Sequence, residues 1–229
     1  MTNMYSRSVK QWNPFVGCKH DCTYCVPSFK AQAKRQKQRC LACYSFGSHE
    51  HPERLQAGLP RTGEGEFVFT CANGDVAFCS TEYLARIVEV IKFRKGTRFL
   101  IQSKDPAAFT RLAWPDNVIL GTTIETNKEE IAARCSKAPA PAERFTALKG
   151  IDHPHKMITL EPIMECDPEV LIDWVAQISP VMVWVGYNSK PKQVCLPEPP
   201  LIQVTHIMEE VRKLGVDVIP KLIRGAINV

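Results

Sequence analysis

No stretch of this 229-residue chain is apolar for long enough to cross a bilayer. The longest weakly charged run, 175–187, falls short of the roughly 20 residues a spanning helix needs. The opening residues, MTNMYSRSVKQWNPF, contain no apolar leader segment. Membrane insertion and secretion are therefore not expected, and a cytoplasmic location is. Fixed-period repeats and low-complexity tracts are also missing. A chain of this length buries one large core and hardly two, so residues 1–229 are expected to form one domain. Cysteine, by contrast, is plentiful at 10 residues, yet it stays below the roughly 8–10% of a disulfide-stapled secreted scaffold. In a reducing compartment, clustered thiols serve as metal ligands or catalysts more often than as bridges.

The charge is unevenly placed. Residues 1–66 carry 10 Lys/Arg against 5 acids, whereas residues 67–229 carry 19 of each sign, so the whole net charge of +5 lies in the head. Five of the 10 cysteines lie there too.

From Glu66 onward, short apolar runs alternate with amphipathic stretches, the pattern of successive βα units around a parallel sheet. Strands are expected at 67–71, 98–102, 118–123, 156–160, 181–186 and 216–220, with a first strand near 8–11. Helical patterns fall at 81–94, 105–113, 127–149 in two pieces, 167–178 and 201–214, and a first helix is expected over 27–39. Such units close either as a barrel or as a doubly wound sheet, and periodicity does not separate the two. In both, the site lies at the carboxyl ends of the strands. Those ends carry Asn73-Gly74-Asp75, Ser103-Lys104, Glu125, Glu161-Pro162, Asn188 and Lys221, polar groups of alternating sign on apolar strands.

The sharpest motif is Cys18-Lys-His-Asp-Cys22-Thr-Tyr-Cys25, a C-x3-C-x2-C loop between the first strand and the first helix. Three thiolates so close converge on one small object. A 4Fe-4S cubane fits, with three irons ligated and the fourth open. A tetrahedral zinc site would need a fourth protein ligand, for which His20 is available. Buried apolar thiols are the bland alternative, and the polar neighbours Lys19, His20, Asp21 and Thr23 argue against it.

The triplet, with Tyr24 just before its last cysteine, resembles the signature of the radical S-adenosylmethionine (radical SAM) superfamily. Trp12-Asn13-Pro14, His51-Pro52-Glu53-Arg54-Leu55, Asn73-Gly74-Asp75, Leu120-Gly121-Thr122-Thr123-Ile124-Glu125 and Leu160-Glu161-Pro162 resemble a phage-protein-like branch of it. The resemblance implies a partial (β/α) TIM-type barrel of about six to seven βα units, with a Cys/His-containing insertion at 38–66 after the first helix. It also implies an enzyme that cleaves SAM reductively to a 5′-deoxyadenosyl radical, which abstracts hydrogen from substrate. Cys18, Cys22 and Cys25 would then ligate the 4Fe-4S cluster. Tyr24, Asn73, Gly74, Asp75, Thr123 and Glu125 would contact SAM, with Asp75 facing its ammonium and Thr123 and Glu125 its ribose. Asp75, Lys104, Glu161 and Lys221 would form the catalytic surround. A reductase or a flavodoxin/ferredoxin would donate the electron.

Two features lie outside that motif. Cys40-x2-Cys43-x5-His49-x-His51 offers four N/S donors within twelve residues, a set zinc accepts; a free-thiol insertion is the alternative. Lys30, Lys34, Arg35, Lys37 and Arg39 crowd the expected first helix, with 30, 34 and 37 at the spacing of one face. Such a face can track a phosphate backbone, making nucleic acid one possible substrate; a solvated helix is the ordinary reading. Together these two features define a rival, a non-catalytic zinc-dependent nucleic-acid-binding module.

Overall fold

Runs such as Phe67-Val-Phe-Thr, Phe99-Leu-Ile-Gln and Val118-Ile-Leu-Gly-Thr-Thr are apolar on both faces, as strands covered on both sides must be. In the computed structural model, which describes residues 5–225, each forms a strand. The strands are β1 (Ser8–Trp12), β2 (Phe15–Val16), β3 (His49–Glu50), β4 (Phe67–Thr70), β5 (Phe99–Gln102), β6 (Val118–Thr123), β7 (Lys156–Leu160), β8 (Met182–Val185) and β9 (Asp217–Pro220). The α-helices are α1 (Ala31–Ala33), α2 (Leu41–Ser45), α3 (Thr81–Lys92), α4 (Glu129–Cys135), α5 (Pro141–Gly150), α6 (Pro168–Ile178) and α7 (Leu201–Lys213).

Seven strands form one sheet in the order β1-β4-β5-β6-β7-β8-β9, every neighbouring pair parallel. The order never reverses. A doubly wound sheet needs such a reversal, so the sequential order makes this an open partial (β/α) barrel. Each strand presents alternate residues to two different cores. Val68, Ile101, Leu120, Ile158 and Val183 pack outward with Leu84, Ile87, Val175 and Val204 of the helices. Phe69, Leu100, Ile119, Met157 and Trp184 face inward around Tyr5. At the open seam Arg7, just before β1, forms an ion pair with Asp217 at the start of β9.

Helix α3 shows how the outer layer is built. Ser80 Oγ accepts from the Tyr83 N–H at 3.2 Å, and Tyr83, Leu84, Ile87, Val88 and Ile91 recur at helical spacing and are buried. Burying each large apolar side chain contributes about 1.5–3 kcal/mol.

Three local expectations are corrected. The segment expected as a helix at 105–113 is a short 3-10 turn, Pro106–Arg111, which ends where Leu112 takes up an extended conformation. The helix expected at 27–39 is a broken series: a π turn at Val26–Lys30, the single turn α1, and a 3-10 turn at Lys34–Gln36. Lys34 and Lys37 both lie over the Tyr44 ring, 4.6 and 5.9 Å from its centre, and Lys30 is bound to Asp21 at 2.5 Å. The third correction is an addition, the antiparallel pair β2–β3, which joins the 38–66 insertion to the chain just before Cys18. No helix among the described residues is long and apolar enough to cross a membrane.

Candidate active site

The inward face changes character along the strands. Its lower half is apolar and is plugged by Tyr5, whose ring centre lies 5.2 Å from Phe69 and 4.8 Å from Trp184. The Tyr5 hydroxyl marks the boundary, donating to Gln102 Oε1 at 2.5 Å and sharing a hydrogen bond with Thr159 Oγ1 at 2.9 Å. Above it, at the carboxyl ends of the strands, opens a cavity of about 720 Å³. Cys18, Cys22, Cys25, Lys104, Glu161 and Lys221 all line it, as do Tyr24, Asn73, Gly74, Asp75 and Thr123.

The cysteine loop is held from two sides. Gly17 donates to Asn73 O at 2.9 Å, and its carbonyl accepts from the Asp75 N–H at 3.1 Å. Its φ is +100°, and a Cβ there would lie 2.3 Å from the Gly47 carbonyl oxygen, so both conformation and space require glycine. A 3-10 turn, Thr23–Cys25, then draws Cys22 and Cys25 together. Cys22 Sγ lies 3.1 Å from Ser136 Oγ.

All three thiols are free and partly or fully buried. Burial pushes the Cys18 thiol up to about 12. Contact with Cys25 lowers the Cys22 thiol, while the same contact and burial push Cys25 up. The Lys104 ammonium lowers all three. Burial in turn brings Lys104 down to about 8, against the pull of the neighbouring thiolates.

Behind the thiols runs a buried polar chain. Tyr24 Oη donates to Glu125 Oε1, and Lys104 Nζ donates to both groups. Arg144 closes the chain, donating to Glu125 Oε2 at 2.6 Å and to Thr123 O at 2.5 Å. Two cations against one carboxylate leave this wall positive, the sign that stabilises thiolates. Glu125, expected on a ribose, is committed to these partners behind the cavity wall. Thr123 does reach the cavity, its Oγ1 accepting from Gln102 Nε2 at 2.6 Å.

Asp75 is likewise engaged. Burial pushes its carboxyl up, but His20 at 3.1 Å, Ser103 Oγ at 2.5 Å and the Ala77 N–H outweigh this, and it stays below the ordinary aspartate range. The Lys104 N–H also donates to it, at 2.8 Å. His20, considered as a fourth zinc ligand with the triplet, stands beside both Cys18 and this carboxylate, the donor atoms of the three lying within 4.8 Å of one another. Across the cavity Lys221 Nζ donates to Glu161 Oε2, and burial raises the Glu161 carboxyl against that cation. Tyr5, Gln102 and Arg144 were not expected here. Of these, Arg144 had a signal, because it lies four residues before Leu148 on the buried face of α5.

The second cysteine group is also assembled. The donor atoms of Cys40, Cys43, His49 and His51 lie within 4.8 Å of one another. They sit on α2 and β3, outside the cavity.

A model for a protein family described as "Protein of unknown function (DUF5131)" matches residues 5–188. The chain belongs to that family. No curated protein matches it. Among solved structures, it is similar to a radical SAM methyltransferase from Sphaerobacter thermophilus, at TM-score 0.55 and 12% identity over 93% of this chain and 65% of that one. It is also similar to Streptococcus suis SuiB bound to its precursor peptide SuiA, at TM-score 0.55 and 12% identity, covering 92% of this chain and 48% of that one. SuiB bound to S-adenosylmethionine matches with TM-score 0.55 and 9% identity, over 92% and 49%. The chain thus spans less than two thirds of each of these proteins. At such identities the likeness is one of fold: the partial barrel is that of radical SAM enzymes.

Proposed function

We propose that this protein is a radical SAM enzyme of the superfamily's phage-protein-like branch, with a 4Fe-4S cluster on Cys18, Cys22 and Cys25. The observation that carries the reading is the convergence of three free thiols on one cavity at the mouth of a partial barrel, beside a buried ammonium. The donor set fits the group: three thiols from one short loop and a cation that favours their ionised form. When bound, the cluster supplies the one electron that cleaves SAM reductively to a 5′-deoxyadenosyl radical for hydrogen abstraction from substrate.

The chain's own residues place and insulate the reactants. Lys104 offsets the thiolate charge, and Glu125 and Arg144 hold it there. Glu161 and Lys221 present an acceptor and a donor to the zwitterionic end of an amino-acid-like ligand, and Thr123 and Asn73 offer neutral hydrogen bonds. Tyr5 closes the lumen from below, which keeps water out of the reacting space. The electron comes from a reductase or a flavodoxin/ferredoxin. The cavity's acids, amides and lysines suit a polar substrate, with nucleic acid as one class.

Anaerobic reconstitution is expected to give a brown protein with about four irons per chain and, on reduction with SAM, 5′-deoxyadenosine. A Cys18→Ser/Cys22→Ser/Cys25→Ser variant should lose both. A wild-type chain that takes up no iron under these conditions would refute the proposal.

A further inference from the structure

Cys40, Cys43, His49 and His51 lie away from the reaction cavity, and their arrangement is hard to explain without a cation. His49 Nδ1 is 2.7 Å from Gly47 O, and His51 Nδ1 is 2.7 Å from Glu53 Oε1. Each Nδ1 therefore carries the proton, and each Nε2 is left with a lone pair. Those two Nε2 atoms face each other at 2.8 Å. Two lone pairs at that distance repel unless a positive centre lies between or beside them. The thiols complete the set: Cys43 Sγ is 3.3 Å from His49 Nε2 and 3.2 Å from His51 Nε2, and Cys40 Sγ is 3.5 Å from His49 Nε2. Tetrahedral zinc, with Zn–S about 2.3 Å and Zn–N about 2.0–2.1 Å, sets its S···N edges near about 3.5 Å. The oxygen partners on both Nδ1 atoms are the outer contacts that orient zinc-bound histidines. Four donors within 4.8 Å leave space for one ion.

We propose that these four residues bind one structural Zn²⁺, which ties the 38–56 strap to itself and so fixes the edge, β3, that pairs with the strand delivering Cys18. The strap meets that strand at three points: β3 pairs with β2, the His51 N–H donates to Pro14 O at 2.7 Å, and Gly47 lies against Gly17. Two ligands, His49 and His51, flank or form β3 itself. All four positions are filled by protein, leaving none for substrate, so the ion is structural.

The inference stands independently of the proposed radical chemistry, and metal analysis separates them. The full chain, purified anaerobically, should contain about one zinc whether or not the iron site is loaded. The Cys18→Ser/Cys22→Ser/Cys25→Ser variant should keep its zinc, and Cys43→Ala/His51→Ala should lose it. If the latter does not fold, cobalt(II) titrated into zinc-stripped wild-type protein reads the site directly. Intense tetrahedral absorption with thiolate-to-cobalt charge transfer, bleached by one equivalent of zinc, is expected. Removing zinc should also make the strap cleavable by trypsin at Arg39 and Arg54. Zinc-free wild-type protein without a cobalt spectrum, a Cys40–Cys43 disulfide, or iron in this site would overturn the assignment.

Discussion

Arg144 and Glu125 form an ion pair of 2.6 Å in which both side chains are 1% exposed, at the carboxyl end of β6 and directly behind the cysteine cavity. Removing Arg144 leaves Glu125 Oε2 buried without its donor while Lys104 and Tyr24 keep Oε1, at a cost of about 1–3 kcal/mol. Arg144→Met should therefore lower stability by about that amount, seen as a fall in the chemical denaturation midpoint with unchanged slope. The loss should exceed that of Arg7→Met, because the Arg7–Asp217 pair is solvent-exposed.

Lys104 is the cation all three thiols share. Lys104→Met should shift cluster assembly toward alkaline pH, because without the ammonium each thiol ionises less readily. Iron uptake followed against pH should show the variant lagging at neutrality and approaching wild type as pH rises. Equal uptake at every pH would show that the ammonium does not act on the thiols.

The Asp75 carboxylate has a folded pKa below its unfolded value, so its contribution is present above the ordinary aspartate range and is lost as pH falls through the folded value. Asp75→Asn should destabilise the protein by about 2–3 kcal/mol at neutral pH. That gap should narrow in acid, as wild type loses what the variant never had. Urea titrations at several pH values measure it.

Gly17→Ala places a methyl group against the Gly47 backbone at a positive φ. The expected outcome is displacement of the cysteine loop from the strap, with iron and zinc contents falling together. Gly215→Ala, at φ +78° with no atom near its Cβ, is the control: strain without the clash, about 1–3 kcal/mol of stability and normal metal content.

Tyr5→Phe removes a hydroxyl that contacts Gln102 and Thr159, and Tyr5→Ala empties the inward core. Losses of about 1–3 kcal/mol and about 3–5 kcal/mol are expected, measured by equilibrium unfolding.

The sheet was legible in the sequence because the central strands, β4 to β8, are largely apolar runs and helices such as α3 and α6 keep their period. The cysteine triplet was legible because its ligands are local. What escaped is non-local or too short to be periodic. Tyr24 reaches Glu125 across 101 residues, a pairing no spacing rule contains. Strands β2 and β3 have two residues each, too few for any alternation. Tyr5 stands before the first strand, where no neighbouring pattern marks it as core. Asp75 lines the cavity, as its position at a strand end suggests, and Glu125 stands behind it; their partners His20 and Arg144 lie on elements whose approach only the fold decides.

Tyr5 also sets the direction of traffic. Among the described residues, its ring and the inward aromatic cluster fill the lower lumen, so the cavity lies on the side where the cysteine loop stands. Under the proposed function, a reacting group that enters on that side passes the cysteine loop. A polymer substrate would then need one protruding residue or base that reaches the depth of Gln102 while the rest stays outside.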